Sequence, residues 1–149
     1  MISQKSHYAL LALFELGKRI GQGPVKIAQI AQSQNIPPRF LEVILHQLKR
    51  VGLVDSRRGM DGGYHLQVPP EKLTVGDVIE SIQGPVSLFD NRSAKAHRSD
   101  GASPYSAVFG ALWQEVETAI TAIYDKTTFK DLLEREQELR DDYVASYTI

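Results

Sequence analysis

Three segments in the first third of the chain carry apolar side chains at the three- and four-residue steps of an amphipathic helix. The first covers residues 3–20, and Ser3 is its candidate N-cap. The second is about two turns long and ends near Asn35. The third begins at Pro37 and Pro38, where a missing N–H costs a helix nothing, and continues for about three and a half turns. Three helices with a short break before the third predict a helix-turn-helix.

After the third helix, the pattern changes from helical spacing to the alternation of short strands. Residues 53–58 and residues 64–68 each have the pattern of a strand, and Gly59, Gly62 and Gly63 lie in the turn between them. The sequence therefore predicts a β-hairpin directly after the helix-turn-helix, as in a winged helix-turn-helix.

The second half of the chain predicts helices separated by one polar segment. Thr74 and Asp77 have the spacing of a capping box and open a helix that ends near residue 84. Residues 90–104 are polar and aperiodic, which indicates a loop. A long helix over residues 104–125 follows. A short helix over residues 127–133 comes next, and we expect the highly charged remainder to be solvated.

The long helix carries a longer apolar stripe than a small domain usually leaves exposed, which favours burial against a second copy of the chain. The predicted contacts of this homodimer are Phe109, Leu112, Trp113, Val116, Ile120 and Ile123. The fold is therefore predicted to be mainly α-helical with a small β-hairpin. We expect a winged helix-turn-helix DNA-binding domain with its following helix over residues 1–84, a loop over 85–103, and a dimerisation helix with a C-terminal tail over 104–149.

The composition narrows the class of protein. The 149 residues suit one domain with an appendage, and the absence of cysteine excludes disulfides, thiolate catalysis and all-thiolate metal ligation. No apolar run approaches the roughly 18 residues needed to cross a bilayer, so we expect a cytoplasmic protein without a membrane partner. The histidines are scattered and no phosphate-cradling motif such as GxxxxGK occurs, so we do not expect an enzyme.

The net charge of −1 hides an asymmetry between the two halves. Residues 1–68 hold nine Lys and Arg against four acids, a net +5, whereas residues 69–149 hold eight against fourteen, a net −6. Such an imbalance suggests that only the first half faces a polyanion.

Arginines on the third helix and on the hairpin are the candidate DNA contacts. A recognition helix contacts bases chiefly with its N-terminal residues, and Arg39 can make a bidentate contact to guanine. Arg57 and Arg58 flank a turn whose three glycines allow close approach to a phosphate backbone or a narrow minor groove. The alternatives are a surface arginine and a plain hairpin with incidental charge. The preceding helix-turn-helix favours the DNA-binding interpretation for the hairpin.

Motifs along nearly the whole chain resemble one family. They are SQKSHYAL at residues 3–10, GPV at 23–25, IPPRFLE at 36–42, LKRVGLVDSRRG at 48–59, GGYHL at 62–66, LTVGDVI at 73–79, ALW at 111–113 and TFKDL at 128–132. Together they resemble the Rrf2 family of bacterial transcription regulators, the group of IscR, NsrR and CymR.

The resemblance implies a homodimer that uses the long helix as its dimer element and binds a pseudo-palindromic operator in double-stranded DNA with two recognition helices and two wings. By position, the family's DNA-facing roles would fall to Lys5, His7, Tyr8, Pro37, Arg39, Phe40, Glu42 and Arg58. Core packing is the alternative for Phe40. We expect a sequence-specific regulator, and a repressor rather than an activator.

The loop before the long helix departs from the family. Cluster-binding members carry three cysteines there, and this chain has none between Asp90 and Gly110. Asp90, His97 and Asp100 lack compact ligand spacing, so we expect neither a metal site nor a cofactor. The chain therefore resembles the cysteine-free branch, whose members sense through a partner protein or a small molecule. An iron–sulfur or metal sensor with non-cysteine ligands stays open as an alternative.

The chain ends in Tyr147, Thr148 and Ile149, and a free carboxylate on an apolar tail can be captured by backbone N–H groups of a partner. This end is similar to that of CymR-type regulators and of serine acetyltransferases, whose terminal isoleucine enters the active site of O-acetylserine sulfhydrylase. An adaptor that binds a cysteine-biosynthesis enzyme is therefore the second alternative. The simpler interpretation is that Ile149 only ends a helix.

Overall fold

A computed structural model of the chain describes residues 1–88 and 104–148. Over these residues the chain forms six α-helices and one two-stranded antiparallel sheet, which confirms the predicted fold class. The elements are α1 (Gln4–Lys18), α2 (Ile27–Gln34), α3 (Pro38–Arg50), β1 (Val54–Arg57), β2 (Gly63–Leu66), α4 (Val75–Gln83), α5 (Pro104–Lys126) and α6 (Phe129–Tyr147).

Local sequence signals explain where the first three helices begin and end. The Ser3 hydroxyl accepts a hydrogen bond from the Ser6 N–H at 3.0 Å, so Ser3 is the N-cap of α1. At the end of α2, Asn35 adopts the left-handed conformation with φ of 51°, which asparagine tolerates better than most residues. Pro37 then caps α3, and Pro38 is its first residue. The helices α2 and α3 are therefore the two helices of the predicted helix-turn-helix.

The wing is the hairpin of β1 and β2, and it is attached to the helices through a third segment. Val54 lies opposite Leu66, and Arg57 lies opposite Gly63. On the other edge of β2, Tyr64 pairs with Val25, which lies between α1 and α2. Each N–H of this pair donates to the carbonyl oxygen of the other residue at 2.8 Å. These bonds hold the wing beside the helix-turn-helix.

The hydrophobic core surrounds α1, which contacts α2, α3, α4, α6 and β2. Its fully or almost fully buried members come from nearly every element. They are Ala9, Ala12, Leu13, Leu16, Val25, Ile30, Ala31, Ile36, Leu41, Ile44, Leu45, Leu48, Val54, Leu73, Val78 and Phe129. Because Phe129 belongs to this cluster, the second half of the chain contributes to the core that supports the first.

Two helices start side by side with the same motif. Thr74 caps α4 and exchanges hydrogen bonds with Asp77, as the sequence predicted. Thr128 caps α6 and exchanges hydrogen bonds with Asp131 in the same way. The backbone N–H of Thr128 is the largest influence on the Asp131 carboxyl and holds its pKa below the ordinary value. Each box satisfies two of the N–H groups that a helix start leaves without partners.

An antiparallel bridge between Thr74 and Thr128 joins the two helix starts. The Val75 N–H donates to the Thr127 carbonyl oxygen, and the Phe129 N–H donates to the Leu73 carbonyl oxygen, each at 2.9 Å. The bridge therefore fixes the position from which the Phe129 ring enters the core.

The helix α5 packs against α4 through its C-terminal part. Ile120 and Tyr124 line a small cavity of about 110 Å³ together with Ile79 of α4. The Leu88 N–H donates to the Glu117 carboxylate at 2.6 Å, which ties the segment after α4 to the same part of α5. By contrast, residues 107–115 of α5 are all exposed.

The last helix is longer than the sequence pattern predicted. The expected short helix over residues 127–133 is wrong in length, because α6 continues to Tyr147. The charged stretch after residue 133 is helical since Glu, Gln, Arg and Leu are strong helix formers. Pairs at the i,i+4 spacing, Glu136 with Arg140 and Gln137 with Asp141, add support along the exposed side.

Some predictions fall on residues that the structure does not describe. Asp90, His97, Asp100 and Ile149 lie outside the described residues, as does most of the predicted loop over 85–103. Among the helices that are described, none combines the length and the apolar character that a membrane span requires.

Candidate nucleic-acid interface

One face of α3 is available for contact with another molecule. The buried face consists of Leu41, Ile44, Leu45 and Leu48, each with no exposed surface. The opposite face carries exposed residues, and these include two predicted DNA contacts, Arg39 and Glu42, together with Val43, His46 and Arg50. The helix therefore presents cationic and hydrogen-bonding groups on the side away from the core, as a recognition helix requires.

Aromatic contacts bring the start of α1 to the start of α3. The ring of Tyr8 meets the ring of Phe40 edge-on, with centroids 6.4 Å apart, and His7 lies beside Tyr8 at 6.3 Å. The Gln4 side-chain amide donates to the Tyr8 hydroxyl at 3.0 Å. Phe40 is 56% exposed, so it is a surface residue rather than part of the core. Three of the predicted DNA-facing residues thus form one patch with Gln4.

The end of α4 holds the N-terminal segment in place. The buried Ser6 hydroxyl donates to the Gln83 side-chain oxygen at 2.6 Å, and the Ser3 N–H donates to the same oxygen at 2.9 Å. The Gln83 amide in turn donates to the carbonyl oxygen of Met1. Lys5, a predicted DNA contact, lies half-buried in the segment that these bonds fix.

A lysine near the C-terminal end of α3 connects the recognition helix to the wing. Lys49 Nζ lies 2.5 Å from the Ser56 hydroxyl and 3.6 Å from the Asp55 carboxylate. The backbone N–H of Ser56 holds the pKa of the Asp55 carboxyl below its ordinary value, and Lys49 adds to that effect. Together with the direct packing of β1 against α3, these contacts link the wing to the C-terminal end of the helix that carries Arg39.

The tip of the wing is shaped by its glycines. Gly59 has φ of +108°, and its carbonyl oxygen accepts from the Gly62 N–H at 3.0 Å, which closes the turn. A Cβ on Gly62 would lie 2.3 Å from the Arg57 carbonyl oxygen, and a Cβ on Gly63 would lie 2.4 Å from that of Val25. Gly62 and Gly63 are therefore required by the wing itself, and their contact with DNA stays a prediction.

Both arginines of the wing are exposed. Arg57 ends β1, and Arg58 follows it at the start of the turn, so both lie at the neck of the hairpin. Their contact with DNA stays a prediction. Pro37 is exposed at the start of α3, next to Arg39. Most of the predicted residues of α1, α3 and the wing are thus exposed on one folded unit. The exceptions are Lys5, Tyr8 and Gly63, which are half-buried, and Gly62, which is buried.

Sequence reasoning missed the residues that hold this unit together. The contacts of Gln83 with Ser3 and Ser6 span about eighty residues, and the Gln47 amide donates to the Ser81 carbonyl oxygen across 34 residues at 3.1 Å. Single-sequence patterns carry no signal for such long-range hydrogen bonds.

The predicted dimer stripe on α5 is divided by the structure into two parts. Phe109, Leu112 and Ile123 are 55%, 44% and 53% exposed. Val116 and Ile120 are half-buried. The rings of Phe109 and Trp113 stack with centroids 6.3 Å apart. One chain therefore leaves a stretch of apolar surface on α5 in contact with solvent.

A metal site has no support in the part of the chain that the structure describes. No group of three or more His, Cys, Asp or Glu side chains lies close enough together there to hold an ion. Glu15 is the one buried carboxylate among these residues, and it accepts hydrogen bonds from the Arg19 and Gln34 side chains at 2.6 and 2.7 Å.

Comparison with known proteins identifies a family. The Rrf2 model, described as an iron-dependent transcriptional regulator, matches residues 2–135. The transcriptional regulator CymR of Bacillus subtilis is 36% identical over 135 residues, which cover 88% of both chains. Among solved structures, T. potens IscR superposes with a TM-score of 0.72 at 32% identity, covering 93% of this chain and 90% of its own. CymR, the global cysteine regulator of B. subtilis, superposes with a TM-score of 0.71 at 32% identity, covering 91% and 97%.

Proposed function

The chain belongs to the Rrf2 family of DNA-binding transcription regulators, which are not enzymes, and we propose from this that it is a homodimeric, sequence-specific repressor. It binds a pseudo-palindromic operator in double-stranded DNA and works without a cysteine-ligated iron–sulfur cluster. Because its ligand is chromosomal DNA, it acts in the cytoplasm.

The observation that carries this proposal is the basic wing fixed beside the exposed face of α3. Lys49 joins α3 to β1 through Asp55 and Ser56, so the two elements meet DNA as one body. When α3 lies in the major groove, a wing held at its end reaches the adjacent backbone or minor groove.

Within this interface, different residues carry affinity and specificity. Lys5, Arg57 and Arg58 neutralise phosphates, and each neutralised phosphate releases condensed counterions. Arg39 makes the bidentate contact to guanine, and Glu42 accepts from a cytosine amino group. The exposed residues His7, Pro37 and Phe40 and the half-buried Tyr8 supply contacts beside the start of α3. Gly59, Gly62 and Gly63 let the wing backbone approach closely.

The exposed apolar stripe of α5 supports the homodimer. Phe109, Leu112, Trp113, Val116, Ile120 and Ile123 form the contact with a second copy. A two-fold axis along this contact places two recognition helices on two half-sites of opposite orientation, which accounts for the pseudo-palindromic operator. A dimer that covers such a site excludes other proteins from it, and this favours repression.

The absence of cysteine supports the proposal that the protein holds no cluster of the usual kind, although the family is described as iron-dependent. Iron–sulfur clusters are held chiefly by thiolates, and this chain supplies none. The purified protein, prepared without oxygen, should be colourless. Iron and sulfide in stoichiometric amounts would instead favour a sensor with non-cysteine ligands.

The test of DNA recognition starts from random duplexes. We expect the protein to select a two-fold symmetric sequence, and its affinity for that sequence to fall steeply with salt. Arg58→Ala should lower the slope of log K against log salt by about 0.9, the loss of one phosphate contact. Arg39→Ala should instead relax the preference at one base pair of each half-site.

Arg140→Ala is the matched control for both variants. It removes an exposed arginine from α6 while leaving α3 and the wing untouched. The control should keep the parent slope and the parent sequence preference. If Arg39→Ala and Arg58→Ala also bind like the parent, the proposed interface is wrong.

A partner enzyme is the second candidate, as a route by which the signal reaches the protein. The described residues from 137 to 148 are all exposed, so the last described turns of α6 are open to contact with a partner. The similarity to the global cysteine regulator of B. subtilis adds weight to an enzyme of cysteine biosynthesis. Titration of O-acetylserine sulfhydrylase with the full chain and with a form lacking Ile149 tests this. Equal binding by both forms, or binding by neither, would leave a small-molecule effector as the signal.

A further inference from the structure

Val43 occupies an unusual place on α3. At 3.6 residues per turn, Arg39, Val43, His46 and Arg50 fall in one line along the helix. This line lies opposite the four leucine and isoleucine side chains that fill the core. Val43 is 59% exposed, and it lies in the middle of the face that the proposed function puts into the major groove.

The apolar side chain is out of keeping with the exposed groups around it. Arg39, Glu42 and His46 can all hydrogen-bond to base edges, whereas a valine cannot. Single exposed valines are common on protein surfaces, so exposure alone carries no meaning. The position of Val43 is what gives its exposure meaning, because a side chain at the centre of a recognition helix loses its water when the helix enters the groove.

We propose that Val43 is a specificity-determining residue that contacts the 5-methyl group of a thymine in each half-site. Among the groups that base pairs display in the major groove, the thymine methyl is the apolar one. A valine at this place gains contact area only there, and it leaves the polar edge of another base without a partner. The inference rests on the proposed function, since it requires α3 to lie in the groove.

The position of Val43 relative to Arg39 gives the inference more detail. The two side chains are one helical turn apart, about 6 Å along α3. The thymine should therefore lie within one or two base pairs of the guanine assigned to Arg39. Phe40, about 60° around the helix from Val43, is the other apolar group close enough to touch a methyl.

The test uses the duplex that the protein itself selects, with each thymine replaced in turn by deoxyuridine. This replacement removes one methyl group and changes no hydrogen bond. At one thymine of each half-site, the parent should bind the deoxyuridine duplex about fourfold more weakly, the change expected for burial of one methyl. Val43→Ala should bind the thymine duplex more weakly than the parent does and should discriminate less than twofold between thymine and deoxyuridine at that position.

Val51→Ala is the matched control, because Val51 is also an exposed valine, 47% exposed, but lies at the C-cap of α3 outside the line. It should keep the fourfold discrimination. The inference is overturned if the parent tolerates deoxyuridine at every position, if Val43→Ala discriminates as the parent does, or if Phe40→Ala alone abolishes the discrimination. Failure of the parent to select any sequence would be a different result, because it would remove the proposed function itself.

Discussion

The helices α3 and α5 carry the same kind of apolar stripe in the sequence, but the two stripes differ in how far the fold buries them. The stripe of α3 is completely buried by its own chain, whereas most of the stripe on α5 stays in contact with solvent. Periodicity indicates that one face of a helix will be covered, and it is silent on which molecule covers it. On α3 the cover is α1 and its neighbours. On α5 we infer that it is a second copy of the chain.

The largest effect should come from removing core volume beneath α3. Leu45→Ala leaves a cavity in a fully buried site and should lower the free energy of unfolding by about 3 kcal/mol. Urea unfolding followed by circular dichroism measures the change. Leu112→Ala on α5 is the control. It should lower the midpoint only at concentrations at which the chain is dimeric and leave the unfolding of the dissociated chain nearly unchanged. An equal loss from both variants in dilute protein would mean that α5 is covered by its own chain.

A charge placed on the α5 stripe should act on association. Leu112→Glu should weaken self-association by about 30-fold, equivalent to about 2 kcal/mol, because a carboxylate would lose water in an apolar contact. Sedimentation gives the dissociation constant, and circular dichroism checks that helical content is kept. Val116 and Ile120 are poorer sites for this test, since their partial burial within one chain would mix folding with association.

Gln114→Glu is the matched control for that experiment. It adds a carboxylate to the same exposed part of α5, about 200° around the helix from Leu112. Its dissociation constant should equal that of the parent. A Leu112→Glu protein that remains dimeric would move the interface to another surface.

A smaller effect on stability should distinguish Glu15, the buried carboxylate of α1, from an exposed carboxylate of α6. Burial raises the pKa of Glu15, but the hydrogen bonds from Gln34 and Arg19 outweigh it and hold the pKa below its ordinary value of 4.5. A lowered folded-state pKa stabilises the fold above pH 4.5 and loses that contribution as the pH falls through the folded value. Glu15→Gln should therefore lower the free energy of unfolding by about 1.5 kcal/mol at pH 7.

The measurement for Glu15 is unfolding by urea at a series of pH values from 7 downwards. The gap between the parent and Glu15→Gln, measured as the difference in their free energies of unfolding, should narrow as the pH falls below about 4.5. Glu138→Gln, on the exposed part of α6, should show almost no gap at any pH. A gap for Glu15→Gln that is independent of pH would mean that shape rather than charge holds Glu15 in place.

The smallest effect concerns the start of α6. Thr128→Ala removes the N-cap and half of the capping box, and should lower the free energy of unfolding by about 1 kcal/mol. Thermal unfolding detects the change. Thr118→Ala, in the middle of α5, removes a hydroxyl that bonds only to the carbonyl oxygen of Gln114 in its own helix, and it should leave stability nearly unchanged. Equal shifts for the two variants would show that the cap of α6 contributes nothing to the joint fold.

Local signals in the sequence were enough to predict most of the fold. The cap at Ser3, the turn at Asn35 and the capping box of Thr74 each depend on neighbouring residues, so the pattern alone predicts them. The length of α6 was wrong because charge was taken as a sign of irregular structure, although the same residues are good helix formers. The burial of Phe129 was beyond reach, since it depends on a bridge to Thr74 more than fifty residues away.

The candidate interface divides in the same way. The residue types of Arg39 and the wing arginines, together with the family motifs, indicated DNA without any coordinates. The exposure of Phe40, its contact with Tyr8 and the link from Lys49 to the wing required the fold. They depend on how separate elements pack, and periodicity describes each element only by itself.

The burial of Phe129 also imposes an order on the synthesis of the protein. Phe129 is the largest side chain fully enclosed in the core, and it leaves the ribosome roughly two to nine seconds after residue 84 at ordinary elongation rates. Until then the nascent helix-turn-helix has a gap where the ring belongs. The chain between these points includes the whole of α5. A copy that completes its core has therefore already produced α5, the helix that we propose as the dimer contact. If that proposal holds, unfinished chains should not compete for the operator by binding single half-sites.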